Sequence, residues 1–75
     1  MAGFKFKIVE HIGDLKTQTS GWTKELNIVS WNDYEPKYDI RDWSPDHKAC
    51  GKGITFSEDE AHLLFELLEK HLEDN

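Results

Sequence analysis

The chain has 75 residues, a net charge of −6, a single cysteine and four histidines. That length holds one domain, 1–75, and no second one. One cysteine rules out an internal disulfide, and no Cys/His spacing resembles a zinc finger or ribbon, so no metal and no cofactor is expected. No apolar run reaches the roughly 18–20 residues of a membrane span. The alternating start, Phe4-Lys5-Phe6-Lys7, is unlike a signal peptide, so a cytoplasmic or nucleoid-associated protein is expected. So small a chain has a marginal core of its own and gains from a partner subunit.

The charge is unevenly spread. Residues 1–55 carry eight cations and eight acids, whereas residues 56–75 carry one cation and seven acids. The acidity therefore belongs to the C-terminal segment and does not exclude a basic surface elsewhere.

In chain order, residues 4–12 alternate as a strand, with Phe4, Phe6 and Ile8 on one face and Lys5, Lys7 and Val9 on the other. Residues 13–21 are polar and read as a loop. A second strand spans about 22–32, with Leu26 and Ile28 opposed to Asn27, Val29 and Trp31. Asp33-Tyr34-Glu35-Pro36 reads as a turn. Strands at 37–43 and 52–56 come next, around the turn-rich segment 44–51. Ser57-Glu58-Asp59-Glu60 is a capping box that opens a helix over 58–72. Its leucines fall on two ridges and cover roughly half its circumference, more than one core contact requires. Leu63, Leu64, Leu67 and Leu68 are therefore expected at a subunit interface. The expected fold is α+β: a curved, four-stranded antiparallel sheet followed by one helix, paired through the helices as a homodimer.

If Phe4, Phe6, Ile8, Leu26, Ile28, Tyr38, Ile40, Ile54 and Phe56 face the helix, alternation assigns the other face. That face carries Lys5, Lys7, Asn27, Trp31, Lys37, Arg41, Trp43 and Thr55, with Lys52 at its edge. Cations interleaved with aromatics hold phosphates and stack bases, which suits single-stranded nucleic acid. Gly53 beside Lys52 would allow another backbone to come close. Strand tryptophans also form ordinary satellite clusters, and strand lysines also keep sheet edges soluble.

Asp39-Ile40-Arg41-Asp42-Trp43, a loop, Lys52-Gly53-Ile54-Thr55-Phe56-Ser57 and an acidic-start helix resemble the transcriptional positive cofactor four family, most closely its compact bacterial YdbC-type members. The resemblance covers about Asn27 to Leu72. It implies a dimeric, sequence-tolerant single-stranded DNA-binding protein, with RNA also an acceptable ligand, acting in transcription, replication or repair. By position, Arg41, Trp43 and Lys52 fall on motif residues, while Trp31 and Tyr34 compete for the second stacking role. Asn32 stands where the family has an arginine, and Gly51 where it often has a cation. The alternative is a protein-interaction module whose acidic helix docks a basic partner such as a transcription or replication protein. No enzyme is expected. Asp39 and Asp42 fall on opposite strand faces, and His47 with Cys50 is too thin a pattern for a nucleophile pair.

Overall fold

The computed structural model describes residues 5–74; the expected strand start at Phe4 lies outside them. Four strands, β1 (Phe6–Thr17), β2 (Thr23–Trp31), β3 (Lys37–Trp43) and β4 (Cys50–Phe56), precede one helix, α1 (Glu58–Glu73). The sheet is open and antiparallel, in the order β1-β2-β3-β4, so each strand pairs with its neighbour in sequence.

β1 runs five residues beyond its expected end, to Thr17. Three register shifts against β2, between Ile8 and Glu10, His11 and Gly13, and Asp14 and Lys16, break the simple alternation. Each such irregularity places an extra residue on one strand and re-aims the side chains beyond it. The polar stretch after Ile12 therefore stays in the sheet although it lacks a period-two pattern.

The β2–β3 turn also differs from expectation. Its corners are Asn32 (φ 52°) and Asp33 (φ 67°), closed by the Tyr34 amide donating to the Trp31 carbonyl at 2.9 Å. Asn and Asp are the side-chain-bearing residues that best tolerate two successive left-handed conformations. Pro36 lies beyond these corners and leads into β3.

Pairing of β2 with β3 and of β3 with β4 places Leu26, Ile28, Tyr38, Ile40, Ile54 and Phe56 on one side, as expected. Tyr38 and Phe56 stack there, with centroids 5.7 Å apart. Together with Leu15, this side forms an apolar groove against Ala61, Leu64, Phe65 and Leu68 of α1. Phe6 and Ile8 are not part of it. They pair with Trp31 and Val29 and lie on the opposite side, because register against β2, not alternation alone, assigns the face.

The buried core is on that opposite side. Trp43 (0 % exposed) and Val29 (1 %) are its apolar members, beside the polar Asn27, Asp39 and Glu25. Phe6, Trp31 and Trp43 form one cluster, with centroid separations of 5.1–6.2 Å, and His47 stacks on Trp43 at 5.7 Å. The β3–β4 loop folds over this side. Its Ser44 hydroxyl donates to Asp46 and accepts from the Ala49 amide.

The helix begins as its sequence dictates. Ser57 Oγ accepts from the Glu60 amide at 3.2 Å and Glu60 Oε1 accepts from the Ser57 amide at 2.7 Å. No residue of α1 is buried, however, and Leu63, Phe65, Leu67 and Leu72 are each more than half exposed. No helix among the described residues is long and apolar enough to cross a membrane.

Candidate nucleic-acid interface

Asp39 organises the side of the sheet opposite the helix. It is fully buried, so its charge must be met inside the protein. Arg41, two residues along the same strand face, meets it in a two-pronged contact. Arg41 Nε donates to Oδ1 and Nη2 donates to Oδ2, both at 2.7 Å. The Trp31 indole N–H donates to Oδ2 at 3.2 Å, and the guanidinium carbon lies 4.4 Å from the Trp31 ring centroid. Arg41 Nη1 also donates to the Gly51 carbonyl. A guanidinium has five N–H groups, and these bonds use three. Cys50 also lies against the guanidinium, and the plane of the side chain is thereby fixed. Arg41 is held above its ordinary pKa: burial opposes this, but the Asp39 bonds and charge outweigh it.

The expected site residues fall into distinct positions. Trp31, Lys37, Arg41 and Thr55 share the face of Asp39, through the pairs Val29–Lys37, Glu25–Arg41 and Asp39–Thr55. Lys37 and Thr55 are exposed, and Lys52 is exposed on the outer strand β4. Tyr34 is 72 % exposed at the β2–β3 turn, where its carbonyl accepts from Ser30 Oγ. Trp43 is on this face but wholly covered, so within one chain it backs Trp31 and does not offer a ring to solvent. Asn27 is also covered; its amide is engaged with Glu25 and His11.

Two positions need correcting. Lys7 pairs with Ser30 and lies on the helix side, because Phe6 and Ile8 take the other face. Lys5 is tied to the turn: its amide donates to Asn32 Oδ1, and its Nζ lies 2.7 Å from Asp33 Oδ2. Asn32, where the resembled family has arginine, occupies a left-handed corner that suits asparagine better than a long side chain.

Gly53 allows a close approach, but the approaching backbone is the protein's own. A Cβ there would run into the Ile40 carbonyl oxygen and the Arg41 side chain. By charge alone, Asp39 only dilutes the basic face. The signal of its true role is nonetheless present in the sequence, since Asp39-x-Arg41 sets opposite charges two apart on one strand face. The second polar centre, in which His11 and His47 converge on buried Glu25, escapes sequence reading. Alternation ends β1 short of its full reach, and a loop histidine shows no periodicity.

An open antiparallel meander, one amphipathic helix, and a sheet face built on a clamped arginine and indole define a small open-sheet domain with one built surface. Residues 19–67 match the family model of the transcriptional coactivator p15 (PC4). The chain belongs to that family, known as a DNA-binding coactivator domain. It is also 43 % identical over 65 residues to an uncharacterized protein of Treponema pallidum (strain Nichols), covering 87 % of this chain and 76 % of that one.

Proposed function

We propose that this protein binds single-stranded DNA, with little regard to sequence, across the Trp31–Arg41 side of the sheet, and does so as a homodimer. The observation that carries the reading is the Arg41 guanidinium, clamped by buried Asp39 over the Trp31 ring. A fixed guanidinium grips a phosphate without having to be ordered on binding. Exposed Tyr34 supplies a ring for a base at the rim, Trp31 forms the inner platform, and Trp43 stiffens it from behind. Lys37, Lys52 and Thr55 meet the phosphodiester backbone. Lys7, on the helix side, and Lys5, paired with Asp33, lie outside this surface. Single strands are preferred because a paired base has no free face to stack. The process served is transcription regulation, replication or repair.

The dimer is supported by the second leucine ridge. Leu64 and Leu68 line the groove against the sheet, whereas Leu63 (59 % exposed) and Leu67 (68 %) do not. A partner helix would cover them.

Titration of an oligo-dT strand against tryptophan emission, with duplex and RNA competitors, tests the reading. Tight binding to oligo-dT is expected. Its logarithm should fall with log salt by about 0.7 per phosphate contact. Tyr34→Ala should cost about 1–3 kcal/mol of affinity and leave the melting temperature unchanged. Equal affinity for duplex, or an unaffected Tyr34→Ala, would sink it.

A further inference from the structure

A second polar centre lies on the same side of the sheet, between β1 and β2, and the proposed DNA contacts do not use it. Glu25 is 3 % exposed, and both of its oxygens are engaged. Asn27 Nδ2 donates to Oε1 at 3.1 Å, and His47 Nε2 lies 2.8 Å from Oε2. With its amide nitrogen on Glu25, Asn27 must turn its oxygen toward His11, and Oδ1 lies 2.6 Å from His11 Nδ1. An oxygen there requires a proton on Nδ1. The other ring nitrogen of His11, Nε2, then faces Asp14 Oδ1 at 3.2 Å. In a neutral imidazole of that tautomer, Nε2 carries a lone pair. A lone pair and a carboxylate oxygen repel at that distance unless a cation joins them.

The backbone builds this meeting deliberately. His11 and Asp14 are three apart, a spacing that puts side chains on opposite faces of a regular strand. The register shift between His11 and Gly13 returns them to one face, His11 opposite Asn27 and Asp14 opposite Glu25. One donor atom each from His11, Asp14 and Glu25 lies within 4.8 Å of the others. Donors around a tetrahedral zinc-type ion, with bonds of about 2.0–2.2 Å, stand about 3.4 Å apart. Closing that difference requires Glu25 to turn toward Nε2 of His11, since the ring nitrogen that faces it is Nδ1, 3.5 Å from Oε1. His11 and Asp14 are half exposed, which gives an ion a way in, while Glu25 anchors the inner side.

We propose that His11, Asp14 and Glu25 bind one divalent transition-metal ion of the zinc class, with a water completing the coordination. His47 holds the second oxygen of Glu25, and Asn27 holds the tautomer of His11, as outer-sphere partners do in metal sites. The chemistry is right for the class: imidazole with two carboxylates suits zinc, whereas calcium and magnesium prefer all-oxygen sites.

The test is titration of chelator-stripped full-length protein with Zn²⁺ by calorimetry, and with Co²⁺ by visible absorption, at neutral pH. One ion per chain is expected, with a rise in melting temperature on saturation. His11→Ala and Asp14→Asn should each weaken uptake by at least about tenfold. Both side chains are half exposed, so neither change should unfold the chain. His62→Ala and Cys50→Ser should leave uptake unchanged. Absence of saturable uptake by the wild type would overturn the proposal; the His11 ring is then simply an imidazolium. Uptake that persists in His11→Ala and Asp14→Asn, or vanishes in Cys50→Ser, would overturn it as well.

Discussion

Asp39 contributes more to this sheet face than any of its cations. A buried carboxylate with two strong charge-assisted bonds fixes Arg41, and through it the ring it covers. Removing one member of such a pair leaves the other uncompensated. Asp39→Asn should therefore destabilise the fold by about 3 kcal/mol or more, read by denaturant unfolding, and should also weaken oligo-dT binding. A milder effect is expected at Asp46 in the β3–β4 loop. Its carboxyl is held below the usual aspartate range, first by the Lys48 amide and then by the Ser44 hydroxyl. The folded state thus holds this proton less tightly than the unfolded state. The stabilisation is present above the unfolded-state pKa and is lost as pH falls through the folded-state value. Asp46→Asn should lower the melting temperature at neutral pH. The gap from wild type should close as pH falls through the folded-state value, below the ordinary aspartate range. A gap of constant size would contradict the carboxylate's role.

Among the elements, β4 is constrained by its neighbour more than by its own propensity. Gly53 sits where any Cβ meets the β3 backbone, so Gly53→Ala should cost about 1–3 kcal/mol and disturb the Arg41 clamp along with it. Thermal melting and oligo-dT affinity should fall together. How legible each element is in the sequence depends on how local its cause is. The capping box, β2, β3 and most of β4 arise from neighbouring residues, and they stand within a residue or two of where pattern places them. β1 does not, because its course depends on three irregularities set by pairing with β2. The same cause puts Phe6, Ile8 and Lys7 on the faces opposite to those that alternation assigns. Arg41, Trp31, Lys37 and Thr55 are readable because β2 and β3 pair without a shift. Burial of Trp43 is not readable, since it depends on Phe6 and His47 arriving from distant parts of the chain.

For the molecule as a whole, the two sides of the sheet have opposite needs. One is closed by aromatics and a polar network within the chain. The other has a single helix whose outer ridge of leucines is bare. Apolar surface of that extent favours association. Sedimentation should give a dimer at micromolar concentration. Leu63→Glu with Leu67→Glu should give a monomer, because these two point away from the groove. The wild-type unfolding midpoint should also rise with protein concentration, as linkage to assembly requires. A concentration-independent midpoint and a monomeric mass would remove the dimer.

The strand order has a consequence in time. Every strand lies beside its predecessor in sequence, so the sheet can form by closing three hairpins in succession, without a long loop to close first. The helix comes last in the chain and buries none of its residues within it. With the proposed dimer, assembly would divide into a first-order step that zips the meander and a second-order step that seats the helices. The face that carries Arg41 and Trp31 is complete after the first of these, before two chains have met.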